Sequence, residues 1–460
     1  MPTLEHQSAQ PENPFSRLVP DQTIAIVPEF TLESGFVIRD VPVAYKTWGT
    51  LNNAGDNCMV ICHPLTRSVD VEDWWSNLMG SCGLEGKGKV IDESKFFVVC
   101  LNVLGSPYGS ASPLTLNPET GAQYGPEFPL ATIRDDCRLH KLVLDDLRVK
   151  SVAICIGGSM AGMHVFEWAM LGDYVKLIVP ISAPAKSSAW SISWTEAQRH
   201  SIFADPKYLD GYYSLDCPPL QGMTAARMTA MLTYRTRDSY ERRFGRDMMD
   251  QPRPFVENGS NVPAAATVHR LTHNEGHSQT QKDQLRTTAN MPTPVDSPSI
   301  SGYSTPLIEK ENAASVAYEP PQYAAHSYLR YQASKFNERF DANCYIALSR
   351  KMDAHDISYG RGNYEDVVHS IQQPVLVIGI ESDILYPMPE IQALSNLLPH
   401  SELMIVRSAE GHDGILLEHE QINDRIVAFL QKHDHIREIL AQEGVAVPKK
   451  GPRATLFASW

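Results

Sequence analysis

The chain has 460 residues, of which 43% are hydrophobic and 20% charged, a composition typical of a globular protein with a large core. Its 40 basic and 54 acidic residues give a formal net charge of −14, which disfavours binding to a nucleic-acid backbone. The polar N-terminus has no secretory signal, and no apolar run approaches the length of a membrane span. We therefore expect a cytoplasmic protein with neither nucleic-acid nor membrane partners.

The eight cysteines form no C-x-x-C pair, and four of them lie in or beside apolar runs. This pattern predicts reduced, buried thiols rather than disulfides. The histidines and cysteines also lack the spacing of metal ligands, so no metal site is expected.

The first part of the chain predicts an α/β domain behind a flexible N-terminal arm at residues 1–20. Short apolar runs at 58–63, 96–103, 152–156 and 177–181 are strand candidates, and 132–147 has apolar residues at helical spacing. Strands that alternate with helices predict a mostly parallel sheet with helices on both faces.

The strand signal is absent from 184–360, which predicts a helical lid inserted into the α/β domain. Within it, residues at about 246–320 are rich in Pro, Ser, Thr, Asn, Gln and His, a composition typical of a disordered loop. The sheet pattern returns at 374–380 and 403–406, and a helix follows at about 418–431. The core domain is thus predicted at 21–183 and 361–435, with a C-terminal tail at 436–460.

A candidate nucleophile, Ser159, lies in the turn GGSMAG at 157–162, between a predicted strand and a predicted helix. A nucleophile elbow has this layout, because the serine stands on a sharp turn among small neighbours. Similar glycine turns occur in α/β folds without catalysis. The turn alone therefore leaves catalytic and purely structural roles open.

Asp383 and His412 are the candidate partners of Ser159. Each follows a predicted strand, and Ser, then Asp, then His is the chain order of the α/β-hydrolase triad. A loop histidine is more often an ordinary surface residue, and an aspartate after a strand is often a helix cap. Three signals in the right order favour a triad, with His412 as general base and Asp383 as its orienting carboxylate.

The predicted oxyanion hole combines two backbone N–H groups. One belongs to Met160, directly after the nucleophile, and the other to the loop HPLTRS at 63–68. Leu65 is the better donor in that loop, because Pro64 has no N–H.

The sequence resembles the homoserine O-acetyltransferases, especially the fungal form, over about residues 20–430 apart from the polar insertion. The motifs that carry this resemblance are AYKTWG at 44–49, HPLTRS at 63–68, LGSPYGS at 104–110, GGSMAG at 157–162, ARM at 226–228, LTYR at 232–235, RFDAN at 339–343 and EGHD at 410–413. The resemblance implies an α/β-hydrolase fold and an acyltransferase of methionine biosynthesis.

The resemblance further implies transfer of acetyl from acetyl-CoA to the hydroxyl of L-homoserine, by a ping-pong route through an acetyl-serine. Acetyl-CoA would be a co-substrate, with no bound cofactor, and a homodimer through the helical lid is implied. Arg227 would bind the homoserine carboxylate, Asp413 the amino group, and Tyr234 would lie in the same pocket. Charge complementarity supports these roles, but four arginines are rivals of Arg227: Arg235, Arg237, Arg242 and Arg243.

The sequence departs from the family pattern at four positions close to the predicted site. Pro64 and Arg67 replace the usual Ala and Gly of the oxyanion loop, Ala161 replaces a Gly of the elbow, and Ile384 replaces a Gly after Asp383. Arg67 is a candidate contact for the CoA phosphates or for a carboxylate on the acyl group.

Three alternatives to a homoserine O-acetyltransferase stay open. The first is a related O-acyltransferase with another acceptor or donor, such as serine, a succinyl donor or deacetylcephalosporin C. The second is a plain serine esterase, which would not need Arg227 and Asp413. The third is a binding protein without turnover, in which we would expect the loss of Ser159, Asp383 or His412, whereas all three are present.

Overall fold

A computed structural model of the chain describes residues 3–80, 88–250, 269–270, 272–277 and 322–444. The strands of these residues are β1 (Glu5–Gln7), β2 (Thr23–Thr31), β3 (Val37–Trp48), β4 (Cys58–Ile61), β5 (Phe97–Leu101), β6 (Val152–Gly158), β7 (Ile178–Ile181), β8 (Met248–Asp250), β9 (Gln322–Tyr323), β10 (Val375–Ile380) and β11 (Ser401–Val406). The helices are α1 (Val71–Trp75), α2 (Ile133–Asp146), α3 (Met160–Ala169), α4 (Ala189–Phe203), α5 (Leu220–Tyr234), α6 (Arg237–Arg243), α7 (Ala324–Asn337), α8 (Ala342–Asp353), α9 (Tyr364–His369), α10 (Met388–Leu397), α11 (Gly414–Leu417), α12 (His419–Leu430) and α13 (Asp434–Ala441).

Nine strands form one sheet in the order β1-β2-β3-β5-β4-β6-β7-β10-β11. The strands from β5 to β11 in this order pair in parallel, whereas β1, β2 and β3 pair antiparallel at one edge. Every residue of β6, β7 and β10 is buried, as expected for parallel strands covered by helices on both faces. The predicted α/β-hydrolase fold, a mostly parallel sheet with an inserted helical region, is confirmed.

The helix α2 and the six strands β4, β5, β6, β7, β10 and β11 lie where the apolar patterns predicted them, with shifts of a few residues at their ends. Helix α2 begins after Thr132, whose side chain accepts the N–H of Asp135 while the Asp135 carboxylate accepts the N–H of Thr132. This capping box fixes the start of the helix. The antiparallel strands β2 and β3 were not identified in the sequence, since they lie at the edge and alternate less clearly.

Helices α4 to α8 lie between β7 and α9, within the stretch 184–360 that the sequence predicted to be a helical lid. Helices α4, α5, α7 and α8 pack on one another. Residues of α4, α5 and α8 line a cavity together with residues that follow the central strands. Strand β8 pairs with β9 and so joins the two ends of the polar insertion. Most of the predicted disordered loop at about 246–320 lies outside the described residues.

Both ends of the chain differ from the predicted arm and tail. Strand β1 pairs with β2, and a 3₁₀ helix at Pro14–Leu18 buries Phe15 completely, so residues 3–20 pack on the domain rather than forming a flexible arm. Helix α13 buries Ile436, Ile439 and Leu440, so the packed core extends past residue 435. The rest of the predicted tail, 445–460, lies outside the described residues.

Within the ranges that the structure describes, we find no helix with the length and hydropathy needed to cross a membrane.

Candidate active site

Ser159 stands at the sharp turn between β6 and α3. Its backbone has φ 61° and ψ −130°, a strained conformation for a residue with a side chain, and its N–H donates to the carbonyl of Ile181 at 2.9 Å. A Cβ on Gly162 would lie 2.3 Å from the Cβ of Ala183, so the helix can approach the next strand only with glycine there. The sequence thus builds the nucleophile elbow that the GGSMAG motif predicted.

The carboxylate of Asp383, just after β10, accepts hydrogen bonds from four groups. His412 Nδ1 and the hydroxyl of Ser182 each donate to Oδ2 at 2.6 Å. The N–H groups of Leu385 and Tyr386 donate to Oδ1 at 2.8 and 3.1 Å. Since a carboxylate can only accept here, His412 carries its proton on Nδ1, which leaves Nε2 free to act as a base.

His412 lies in a short 3₁₀ helix, Gly411–Asp413, after β11. Its loop is fastened to the same network, because the N–H of Gly411 donates to the hydroxyl of Ser182 at 3.0 Å. Burial lowers the pKa of His412, but the charge and hydrogen bond of Asp383 outweigh it, so the net pKa lies above the usual 6.5. The imidazole is therefore suited to take and return a proton near neutral pH.

The backbone N–H groups of Leu65 and Met160 were the predicted oxyanion donors. No acceptor for either N–H occurs among the residues that the structure describes. The loop that carries Leu65 is held in place by Arg339, which donates to the carbonyl of Thr66 at 3.0 Å, and by a turn from the N–H of Arg67 to the carbonyl of Pro64 at 3.0 Å. A fixed loop with a spare N–H fits the requirement for a preorganised oxyanion hole.

Arg227 lies on α5 and is buried, with 7% of its surface exposed. Its guanidinium stacks on Phe336 and Tyr234, with distances of 4.9 and 5.6 Å from the central carbon to the ring centroids. Within the described part of the chain, Nε of Arg227 has no hydrogen-bond partner. A buried donor without a partner is costly, which indicates a ligand that supplies the acceptor.

Arg235, one of the rival arginines, lies just after the end of α5 and contacts two carboxylates. Helix α5 ends at Tyr234, and Arg235 turns to donate from Nε to Asp413 Oδ2 at 2.6 Å and from Nη1 to Glu410. Burial raises the pKa of Asp413, and the charges of Arg235 and His412 oppose this. Arg235 thus holds the carboxylate that was predicted to bind an ammonium. The other rivals, Arg237, Arg242 and Arg243, are exposed.

One cavity brings most of the predicted site residues together. Its wall includes the side chains of Leu65, Ser159, Arg227, Tyr234, His412 and Asp413. Asp383 lies behind His412, and Met160 begins the helix below Ser159. Trp194 and Tyr386 also line the cavity, and the Trp194 Nε1 and Tyr386 hydroxyl are buried without a partner among the described residues. The lining is mostly apolar with several polar groups, which suits a small ligand held by a few hydrogen bonds.

The sequence did not identify the parts played by Ser182, Arg339 and Trp194. Ser182 follows β7 directly, so the strand-end rule that selected Asp383 could have found it. Arg339 belongs to the RFDAN motif, but its contact with the oxyanion loop spans 273 positions of sequence. Nothing in the local pattern separates Trp194 from the other aromatic residues of the lid.

Two of the four departures from the family pattern are accommodated without disturbing the triad. Ala161 is fully buried beside Gly157, where a Cβ at residue 157 would lie 2.8 Å from the Ala161 methyl. The same Cβ would lie 2.6 Å from the Ala161 carbonyl oxygen, so the backbone of residue 161, and not its methyl group alone, requires glycine at 157. Ile384 is 44% exposed, and its carbonyl accepts the indole N–H of Trp190 at 2.7 Å.

Among the described residues, no group of three or more His, Cys, Asp or Glu side chains is arranged to hold a metal ion. The thiols of Cys58, Cys62, Cys100, Cys137, Cys155 and Cys344 are buried and free, and Cys217 is free and exposed.

Comparisons with known proteins agree with this architecture. Residues 57–418 match the model of the alpha/beta hydrolase fold family. The chain is 48% identical to a homoserine O-acetyltransferase of Schizosaccharomyces pombe, over 94% of this chain and 90% of the relative. It is 45% identical to a homoserine O-acetyltransferase of Ascobolus immersus, over 97% and 93% of the two chains.

Solved structures show the same fold at low sequence identity. A homoserine O-acetyltransferase from Bacillus anthracis is 19% identical, with a TM-score of 0.65 over 97% of this chain and 100% of the other. Esterase E22 is 22% identical, with a TM-score of 0.65 over 91% and 99%. Sequence identity to the fungal proteins carries the closer relationship: the chain belongs to the homoserine O-acetyltransferase family, within the α/β-hydrolase fold.

Proposed function

We propose that this protein transfers an acetyl group from acetyl-CoA to the hydroxyl of L-homoserine. Its fungal relatives are named homoserine O-acetyltransferases, which supports the acetyl group and the acceptor. The observation that carries the proposal is the cavity that joins Ser159 and His412 to Arg227, whose Nε has no partner among the described residues. A hydrolase of simple esters has no use for a buried guanidinium beside its nucleophile. An acceptor with a carboxylate does.

In the first half-reaction, His412 takes the proton of the Ser159 hydroxyl as the oxygen attacks the thioester carbonyl. The N–H groups of Leu65 and Met160 stabilise the oxyanion that forms. The C–S bond then breaks, and His412 returns the proton to the leaving thiolate. Free CoA departs, and Ser159 carries the acetyl group as an ester.

In the second half-reaction, the hydroxyl of homoserine occupies the place of the CoA sulfur. Arg227 binds the carboxylate, Asp413 binds the ammonium, and the Tyr234 ring lies beside Arg227. His412 takes the hydroxyl proton as that oxygen attacks the acetyl-serine. The Ser159–acetyl bond breaks, Ser159 recovers its proton from His412, and O-acetylhomoserine leaves. This ping-pong route would serve methionine biosynthesis in the cytoplasm, with no bound cofactor.

Release of CoA from purified protein tests the proposal. Acetyl-CoA is supplied with L-homoserine, L-serine or water alone, and thiol is followed over time. We expect homoserine to accelerate release far above water and above serine. Equal rates with homoserine and water would show an esterase, and a higher rate with serine would show another acceptor. Intact mass of Ser159→Ala after mixing with acetyl-CoA is the control, since the acetyl adduct should be absent.

The homodimer through the helical lid stays a prediction of the resemblance. Light scattering during size-exclusion chromatography would give the mass in solution.

A further inference from the structure

His63 is a buried histidine at the start of the predicted oxyanion loop, and its backbone partners fix the place of its proton. The N–H of Val103 donates to His63 Nε2 at 3.3 Å, so that nitrogen carries no proton. Burial is the main influence on the pKa of His63 and lowers it to about 4, so the ring is neutral at neutral pH. Its one proton therefore lies on Nδ1, which donates to the carbonyl of Pro64 at 3.0 Å.

The carbonyl of Pro64 accepts a second hydrogen bond, from the N–H of Arg67 at 3.0 Å. This carbonyl belongs to the same peptide group as the N–H of Leu65. A trans peptide group is planar, and its C=O and N–H point in opposite directions. The two donors that hold the Pro64 oxygen therefore also set the direction of the Leu65 N–H.

The Leu65 N–H is the predicted oxyanion donor, and it has no acceptor among the described residues. Leu65 and Ser159 line the same cavity, whereas His63 lies outside the described wall and is 1% exposed. The imidazole thus acts on the site through the peptide group between residues 64 and 65. Hydrogen bonds to a carbonyl also polarise the amide, which strengthens its N–H as a donor. The ring of Pro64 fixes the φ angle before this peptide group and so limits its movement.

We propose that His63 is a positioning residue of the oxyanion hole, which orients the N–H of Leu65 through the carbonyl of Pro64. The inference rests on the acyl-transfer mechanism proposed above and adds to it a residue outside the substrate cavity. An oxyanion forms in both half-reactions, so a misdirected N–H should slow both to a similar extent. Substrate affinity should change little, because the negative charge develops only towards the transition state.

Two variants of His63 separate its two hydrogen bonds. An asparagine amide lies close to the position of Nδ1, so His63→Asn can keep the contact with Pro64 and lose the one with Val103. A glutamine amide reaches the position of Nε2 instead, so His63→Gln can keep only the contact with Val103. The rate of acetyl-enzyme formation is measured in single turnover, by rapid quench and intact mass, over a range of acetyl-CoA concentrations. We expect the maximal rate to fall about 50-fold in His63→Gln, with little change in the half-saturating concentration, and at most about fivefold in His63→Asn.

The infrared carbonyl band of the acetyl-enzyme reports on the hole itself. A ¹³C-labelled acetyl group on Ser159 separates this band from those of the protein. Hydrogen bonds to the ester oxygen lower its stretching frequency, so the band of His63→Gln should lie at higher frequency than that of the wild type. The band of His63→Asn should lie close to that of the wild type.

His63→Met keeps much of the side-chain volume without either hydrogen bond, and it replaces His63→Gln in the comparison if that variant does not fold. The same loss of rate and the same shift of the band are expected. His140→Met is the matched control, because His140 is another buried histidine that bonds a backbone carbonyl, that of Asn102 at 3.1 Å, but lies on α2. It should leave the frequency of the band unchanged.

Equal rates in His63→Asn and His63→Gln, with the wild-type band in both, would show a purely structural role and overturn the proposal. A greater loss in His63→Asn than in His63→Gln would also overturn it, because the contact with Val103 would then matter more than the contact with Pro64. Absence of any acetyl adduct on the wild type would contradict the proposed function instead.

Discussion

On the core side of the cavity, the Asp383 carboxylate accepts four hydrogen bonds, including one from His412 at 2.6 Å. On the lid side, the buried Nε of Arg227 and Nε1 of Trp194 have no partner among the described residues. The two walls face the same space. The catalytic carboxylate and imidazole are held in place without a ligand, whereas these two lid-side donors lack acceptors.

This difference matches the two tasks of the site, which are proton transfer on the core side and substrate recognition on the lid side. The groups that move protons must be oriented before the substrate arrives, because reorganisation during the reaction would raise the barrier. The groups that select a substrate gain affinity by keeping donors that only the correct ligand satisfies, since a wrong ligand leaves them buried and unpaired. Substitutions on the core side should therefore affect both half-reactions, and those on the lid side mainly the second.

Asp383→Asn should have the largest effect. The amide keeps the shape but presents a donor as well as an acceptor, so His412 loses its fixed tautomer and its stabilised cation. We expect kcat to fall about 10⁴-fold with either half-reaction as the readout. Single-turnover formation of the acetyl-enzyme, by rapid quench and intact mass, gives the first half-reaction. A loss confined to the second one would contradict the uniform effect expected of the core side.

The pH dependence of acetyl-enzyme formation adds a second readout of the same contact. The base must be neutral, so the rate falls as pH drops through the pKa of His412. Burial lowers that pKa, but Asp383 raises it by a larger amount, so the net pKa is raised. The acidic limb of the wild type should therefore lie above pH 6.5. The residual activity of Asp383→Asn should show this limb at lower pH. A limb that stays in place would mean that another group titrates.

Arg227→Met should come next, with an effect on one half-reaction. Loss of a buried charge that pairs with the substrate costs about 2–5 kcal/mol, and we expect kcat/KM for homoserine to fall about 100-fold. Acetyl-enzyme formation in single turnover should change far less. A comparable loss in both half-reactions would place Arg227 outside acceptor recognition.

The sequence predicted the core side better than the lid side, for a physical reason. Ser159 and Asp383 follow the fully buried strands β6 and β10, and His412 follows the edge strand β11. Such apolar runs leave a strong signature that fixes the edge of the sheet at which the strand ends meet. Arg227 and Arg235 lie eight residues apart in a region whose pattern predicts helix throughout. Only the resemblance to a family favoured Arg227.

The structure separates the two arginines by the end of helix α5. Tyr234 is its last residue, and the backbone of Arg235 is extended, with φ −114° and ψ 155°, which directs the side chain to Asp413 and Glu410. A helix end without a glycine or proline has no strong local signal. The packing of Phe15 at the N-terminus was missed for a similar reason, because one aromatic residue in a polar stretch carries no periodicity.

The ion pair between Asp136 of the core and Lys351 of the lid is buried, and His164 also contacts Asp136. His164→Leu should weaken this contact between core and lid. His164, on α3, is hydrogen-bonded through Nδ1 to the Met160 carbonyl at 2.9 Å and through Nε2 to Asp136 Oδ2 at 2.8 Å. Lys351, on lid helix α8, donates to the same Oδ2 at 2.6 Å. We expect the free energy of unfolding, from urea denaturation, to fall by about 2 kcal/mol.

His164→Gln is the matched variant, because its amide can donate to Asp136 or to Met160. It should lose less stability than His164→Leu. Equal stability of both variants and the wild type would show that this contact does not hold the elbow to the lid.

Trp194→Phe should have the smallest effect, and it tests the lid side most directly. The ring keeps its edge-on packing with Trp190, whose centroid lies 5.4 Å away, and only the unpartnered indole N–H is lost. Removing a donor that has no partner should leave the stability of the free protein unchanged or slightly higher. A ligand that accepts from this N–H should bind about fivefold more weakly, seen as a higher KM for homoserine at saturating acetyl-CoA.

Trp190→Phe is the control, since its indole already donates to the Ile384 carbonyl at 2.7 Å, outside the cavity. Equal KM values in the two variants would contradict a recognition role for Trp194, whereas a weaker acceptor with an undiminished unfolding free energy would identify a group kept for its ligand rather than for the fold.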